Sequence, residues 1–301
     1  MNWKAKALLQ QAFSVVPGGH HANFFFQQHI TRRLPMSDAK LEEVLELAGH
    51  HASMLRSHSS MPFSEATFFE FGAGWDMAMP LALYCLGAER QTVVDIRPLR
   101  RAELVSDTVA RLASRAEPAG DHWRGPIRAT GSSVEDVLAA HGITYRAPCD
   151  ARDTGLPSGS VDFVTSTKTL EHIPGADIDA ILHECHRLLR PDGVMSMHID
   201  YQDHYSYFDR SISVYNFLRY GERQWRRYNP SLHFQNRLRH SEYVAMFEKA
   251  GFELLDEQRV DGTPDDLEAI ASLPPATPFS IFDPADLAVR GARLVLRKRH
   301  L

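Results

Sequence analysis

Thr67-Phe68-Phe69-Glu70-Phe71-Gly72-Ala73-Gly74 reads as a buried strand that runs directly into a glycine turn. Its aromatic run favours extended backbone, and Gly72 and Gly74 allow the chain to turn tightly and a ligand to approach the main chain. A helix is expected next, through Met79 to Cys85. The same texture continues on either side. Gln91-Thr92-Val93-Val94-Asp95 is a second strand, Leu99 to Leu112 and Ser132 to Ala140 suit helices, and Ile143-Thr144-Tyr145 is a third strand. Val161 to Ser166 is a fourth. A helix over Ile178 to Leu189 carries Ile178, Ile181, Leu182, Cys185 and Leu188 on one face, and Arg190-Pro191-Asp192-Gly193 is expected to stop it before a fifth strand, Val194 to Ile199. Ser241 to Ala250 suits a helix, Phe252 to Leu255 a strand and Ala292 to Arg297 a final strand. Apolar strands separated by helices imply an α/β architecture, a parallel sheet covered on both faces.

Three acids fall where such strands end. Glu70 precedes the glycine turn, Asp95 closes the second strand 25 residues later, and Asp150 follows the third. Open α/β sheets bind ligands at the carboxyl ends of their strands, and a carboxylate there can accept hydrogen bonds from a ribose diol or an amino group. A dinucleotide fingerprint would carry a third glycine, whereas this chain has Gly72-x-Gly74-x-x-Met77, with Asp76 in the intervening stretch. That departure counts against a nicotinamide-dependent oxidoreductase.

The order Glu70-x-Gly72-x-Gly74, Asp95, Asp150-Ala151, Leu156-Pro157, Val161-Asp162-Phe163-Val164, Leu170-Glu171-His172-Ile173 and Leu188-Leu189-Arg190-Pro191-Asp192-Gly193 resembles the class I S-adenosylmethionine-dependent methyltransferases. The resemblance spans roughly residues 66 to 200. It implies a Rossmann-like, doubly wound, seven-stranded sheet whose last strand is antiparallel. It further implies S-adenosyl-L-methionine as cofactor. By the same resemblance, the Gly72-Ala73-Gly74 loop with Glu70 would serve the methionine part, Asp95-Ile96 the ribose and Asp150-Ala151 the adenine. Ser166-Thr167-Lys168 would form the wall beside the sulfonium. The expected activity is methyl transfer to a small-molecule acceptor, with a hydroxyl ahead of nitrogen or carbon. A fold that binds the cofactor without chemistry would be expected to lose these acids, and all three are present.

Histidines are the second signal, 16 in all. A hydroxyl acceptor must lose a proton, and histidine is the natural base near neutral pH. His172, beside Glu171, follows the fourth strand. His198 and Asp200 alternate at the end of the fifth, with His204 just beyond. These are the candidate catalytic residues, with Tyr201, His204, Tyr205 and Arg210 as candidate substrate contacts. A hydrogen-bonding set without metal is the expected reading, against the alternative of ligands that hold a diol acceptor on an ion. His183 and His186 fall off the apolar stripe of their helix and read as a solvated face. The doublets His20-His21 and His50-His51 belong to the N-terminal region.

Residues 1–65 are expected to form an N-terminal helical cap, with Ser37-Asp38 opening a helix that has Leu41, Val44, Leu45 and Ala48 on one face. Residues 66–301 would be the methyltransferase domain. Between about 201 and 240 it holds an aromatic insertion with ten aromatics within residues 201–234 and Arg210, Arg219, Arg223, Arg226 and Arg227 between them. A substrate lid is the leading reading of that insertion and a homodimer interface the second. Nucleic-acid stacking ranks last, because the net charge is −5. Three scattered cysteines give no disulfide framework or cysteine zinc site, and a reducing cytoplasm is the expected compartment. No apolar run reaches the ~20 residues of a membrane span.

Overall fold

The computed structural model describes residues 2–15, 24, 34–115, 127 and 133–299. Among them ten α-helices and seven strands follow one another in the order expected for a doubly wound sheet. The helices are α1 (Trp3–Val15), α2 (Asp38–His58), α3 (Ala78–Cys85), α4 (Ala102–Ala113), α5 (Val134–Ala140), α6 (Gly175–Leu188), α7 (Glu222–Trp225), α8 (His240–Lys249), α9 (Pro264–Ser272) and α10 (Pro284–Ala288). The strands are β1 (Phe68–Phe71), β2 (Gln91–Val94), β3 (Ile143–Arg146), β4 (Val161–Thr167), β5 (Leu189–Asp200), β6 (Phe252–Val260) and β7 (Gly291–Lys298). They form one sheet in the order β3-β2-β1-β4-β5-β7-β6. β1 to β5 are parallel, and β7 runs antiparallel to both of its neighbours.

The burial pattern explains the aromatic run. All four residues of β1 are buried, because helices cover both faces of the sheet. Phe68 joins Phe163, Val194 and Val295 beneath α2 and α3 on one face. Phe69 and Phe71 join Val164, Met195 and Met197 beneath α6 and α8 on the other. Side chains alternate across a strand, so a strand covered twice must be apolar twice. α2 is therefore an integral layer of the sheet packing, with Leu47, Ala52 and Leu55 in that core. Ser37 caps it by accepting from Lys40 N.

Two expectations about element ends are corrected. The strand begun at Phe252 continues to Val260 rather than stopping at Leu255, because a register shift between Leu254 and Asp256 lets it follow β7 to its end. Arg190 to Gly193 lies within β5 instead of ending before it. Pairing with β4 jumps from Val161↔Leu189 to Phe163↔Val194, so the Pro191 segment bulges out of the ladder.

The insertion after β5 packs as a core of its own. Tyr205, Tyr215, Phe217, Leu218 and Trp225 bury against Trp3 and Ala7 of α1 and against Ile270, Phe279 and Leu287 near the C-terminus. Arg239, fully buried, joins this layer to the sheet by donating to the Tyr201 and Val289 carbonyls. Among the described residues no helix is long and apolar enough to cross a membrane.

One tight turn is fixed by backbone contact. Gly142, between α5 and β3, has φ +64°, and a Cβ there would lie 1.7 Å from the Glu89 carbonyl oxygen. Gly142→Ala is expected to cost about 3 kcal/mol. Gly49→Ala, in the middle of α2 with nothing within 4 Å of the new methyl, should instead stabilise by about 0.5–1 kcal/mol. Urea titration of both variants checks the contrast.

Candidate functional site

The chain order reverses between β1 and β4. From β1 it proceeds outward to β2 and β3, then returns to β4 and continues the other way. Loops at the carboxyl ends of such neighbours diverge and leave a crevice. Here a cleft of about 700 Å³ opens at that place. Gly72, Gly74 and Trp75 line it from the first turn, Asp95 and Ile96 from the second, and Cys149 to Arg152 from the segment after β3. Lys168, Thr169 and His172 follow from β4, and Ser231 to Phe234 from the insertion.

The first turn is built for close approach. Gly72 has φ +88°, and a Cβ there would sit 2.4 Å from Thr169 Oγ1. Thr169 is held in turn by donating to the Thr167 carbonyl at 3.1 Å. Asp76 stands where a further glycine was looked for. Its carboxylate accepts from Ala78 N at 3.1 Å at the start of α3, and burial raises its pKa. Trp75 stacks on Phe24 at 5.0 Å, and the Arg101 guanidinium lies over both rings. Trp75, directly after Gly74, lines the cleft.

The acids differ from one another. Asp95 is 8% exposed and accepts from Arg97 N at 3.0 Å. Burial raises its pKa against the pull of backbone donors, Gly74 N among them. Asp150 is more open, and both its oxygens accept from Arg152, at 3.0 and 2.6 Å. Arg152 also donates to Asp177 at 2.6 Å. Glu70 is not among the cleft's lining residues. It lies beneath the turn, 3% exposed, where burial pushes its pKa up to about 8 and the Thr165 hydroxyl is its hydrogen-bond partner at 3.4 Å. Ala73 is also buried, and Ala151 lines the cleft.

Of the expected sulfonium wall, Lys168 faces the cleft and Thr167 does not. Thr167 Oγ1 lies 3.0 Å from His51 Nε2, while His51 Nδ1 is 2.7 Å from Ser196 Oγ. His51 is thus a buried link between α2, β4 and β5, and burial lowers its pKa to about 3. Its neighbour His50 meets Gln258 at 2.8 Å. His20 and His21 lie outside the described residues. Lys168 has φ +49° and reaches Glu43 of α2.

The catalytic candidates gather where β4 and β5 end. His172 Nδ1 lies 2.8 Å from the Phe234 carbonyl oxygen. That contact makes Nδ1 the protonated nitrogen and leaves the Nε2 lone pair available. Burial, then nearby His204, lowers the His172 pKa to about 4, so the ring is neutral at pH 7. The two rings meet edge-on, 4.9 Å between centroids. His204 Nε2 is 3.5 Å from Asp200 Oδ2. Burial works to raise the Asp200 pKa, but the neighbouring His204 and the hydrogen bond from Tyr207 prevail and hold it below the usual carboxylate range. Glu171 is 2% exposed. Burial and the Asp200 charge push its pKa well above the ordinary value, and neither of its oxygens has a hydrogen-bond partner among the described residues. His198 and Asp200 line a second recess of about 210 Å³, which shares Lys168 with the first. Gln202 and Tyr207 in this recess had not been singled out in the sequence.

The structure does not bring the remaining substrate candidates to the cleft. The Tyr201 hydroxyl pairs with His240 in the core, and Tyr205 is buried with its hydroxyl donating to the Tyr228 carbonyl at 2.7 Å. Arg210 is exposed and lines neither recess. His183 is exposed on α6 as expected, whereas His186 is half-buried against Phe252.

Residues 131–197, which span β3 to β5, match the family model described as a methyltransferase domain. Over that segment the chain is similar to methyltransferase domains. Similar solved structures include 1,6-didemethyltoxoflavin-N1-methyltransferase of Burkholderia thailandensis, at 15% identity and TM-score 0.49, with 95% of this chain and 92% of that chain covered. Another is geranyl diphosphate C-methyltransferase of Streptomyces coelicolor A3(2), at 13% identity and TM-score 0.47, with 88% and 86% covered. No curated protein matches the chain.

Glu70 gives the protein a pH signature. Its folded pKa of about 8 exceeds the ordinary 4.5, so the folded state keeps a proton that the unfolded chain releases. Stability should therefore fall as pH rises from about 5 to about 8, by up to a few kcal/mol, and level off above. Glu70→Gln should flatten that fall in urea midpoints measured across the range.

Proposed function

We propose that the protein transfers the methyl group of S-adenosylmethionine to a hydroxyl of a small molecule. The observation that carries this reading is the two-sided lining of one cleft. Asp95 and the Gly72 turn form one wall, and His172 with Ser231 to Phe234 forms the other. In the proposed arrangement the ribose diol donates to Asp95. The turn at Gly72 and Gly74 receives the methionine part, and Ala151 flanks the adenine. Asp150 keeps lone pairs beside its Arg152 partner and serves the adenine amino group. Glu70 supports the turn from below.

Methyl transfer from a sulfonium is an in-line displacement, so positioning and exclusion of water supply much of the acceleration. Ser231 to Phe234 of the insertion close the acceptor side, and the Lys168–Glu43 pair ties α2 to its edge. The acceptor hydroxyl faces the group formed by Glu171, His172, His204 and Asp200. A neutral His172 and an ionised Asp200 offer lone pairs to its proton. This supports oxygen over an acceptor that needs no base.

Calorimetry with S-adenosylhomocysteine tests the cofactor half. Asp95→Ala is expected to weaken binding by about 10–100-fold, since a hydrogen bond to a charged group contributes roughly 1.5–3 kcal/mol. Gly72→Ala should abolish it by forcing the Thr169 side chain and the loop apart. An unchanged affinity in both variants would sink the assignment. For the acceptor half, a cofactor carrying a 13C-methyl group is incubated with a small-molecule extract. The 13C shift of the transferred methyl then separates attachment at oxygen from attachment at nitrogen or carbon.

A further inference from the structure

We infer that Glu171, His172 and His204 form a binding site for one divalent transition-metal ion of the zinc type. One donor atom from each of the three lies within 4.8 Å of the other two. Donors that share a zinc ion at about 2.1 Å stand roughly 3.4 Å apart in tetrahedral geometry, so small side-chain rotations close the set. The chemistry of the set points the same way. Two imidazoles and a carboxylate suit zinc and its neighbours, whereas magnesium and calcium call for oxygen donors.

The independent observation is the state of Glu171. Its side chain is 2% exposed, and both carboxylate oxygens are buried without a hydrogen-bond partner among the described residues. A buried unsatisfied polar group costs about 1–3 kcal/mol, and more if charged. His204 Nε2 is likewise buried without a hydrogen bond, 3.5 Å from Asp200 Oδ2. The second ring is already oriented for coordination. Nδ1 of His172 is held on the Phe234 carbonyl, which leaves Nε2 as the coordinating atom, the arrangement that metal-ligating histidines show. Charge agrees as well. Asp200 and Glu171 are both close, and the neighbouring Lys168 is paired with Glu43. His172 opens onto the cleft, so an ion bound by three protein atoms would keep a position toward it. That position would receive an acceptor oxygen, a role that rests on the proposed methyl transfer; the binding site itself does not.

The untagged full chain, stripped with a chelator, is dialysed against zinc alone and the metal content is measured. One zinc per chain is expected. Cobalt substituted for zinc should give the visible bands of a low-coordinate site. Glu171→Gln keeps the shape and removes the anion. It and His204→Gln should each lower zinc affinity at least tenfold, while His183→Gln on the exposed face of α6 leaves it unchanged. Zinc should raise the melting temperature of the parent protein but not of Glu171→Gln, whose circular dichroism reports that it is folded. Uptake well below one zinc, or uptake that Glu171→Gln and His204→Gln both leave intact, overturns the site. S-adenosylhomocysteine binding is measured in the same samples. If it persists where zinc does not bind, the ion fails and the methyl-transfer reading stands.

Discussion

β1 and β4 lie side by side although they are far apart in sequence: Phe68 pairs with Phe163 and Glu70 with Thr165. Everything at the site depends on this neighbouring pair. The chain leaves β1 toward one edge of the sheet and leaves β4 toward the other, so the two turns part at their carboxyl ends. They part only slightly. The Gly72 backbone passes so close to the Thr169 side chain that a single Cβ would collide with it. That contact fixes the first turn against the turn after β4, and with it the distance between the wall that carries Asp95 and the wall that carries His172. The glycine is needed because of a neighbour distant in sequence as well as for its own φ of +88°.

Around this pair the protein buries an unusual set of polar groups, and they divide by whether the fold satisfies them. His51 bridges Thr167 and Ser196 through both ring nitrogens. Arg239, fully buried, donates to two carbonyls and lies over Tyr201 and Phe217. These are structural links that replace water with protein partners. Glu171 has no such partner, and His198 Nδ1 and His204 Nε2 lack a hydrogen bond. Glu171, His198 and His204 stand together near the ends of β4 and β5.

The legible part of the sequence was the part governed by local chemistry. A doubly covered strand must be apolar at every position, so Phe68 to Phe71 announced itself, and an acid at the end of the next strand was visible as Asp95. What stayed hidden depended on partners distant in sequence. Thr167 and Lys168 are adjacent, but Thr167, the last residue of β4, meets His51 of α2, while Lys168, in a left-handed conformation just beyond the strand, lines the cleft. Tyr201 and Tyr205 looked like substrate contacts because they follow β5. Their neighbours in the fold are Tyr243, His240 and Trp3, which claim them for packing. Cys185, by contrast, could be assigned to the core from helical spacing alone, and it is fully buried. Even the extent of β6 was set from outside, since its length follows that of β7.

Folding alone gives no reason to place two buried carboxylates, Glu171 and Asp200, beside the imidazoles of His172 and His204. Burial and the Asp200 charge push the Glu171 carboxyl toward its neutral form, while Tyr207 and His204 hold Asp200 ionised a short distance away. Two carboxyl groups in one pocket with oppositely shifted pKa values are a strained electrostatic arrangement, and stability would be better served by apolar residues of the same size. Such arrangements cluster where charge has work to do. Here that place lies behind His172, which lines the cleft, and beside the recess that Asp200 lines. The cost is borne at the point where an incoming ligand can relieve it, by donating to Asp200, by taking the lone pair of His172 or by neutralising Glu171.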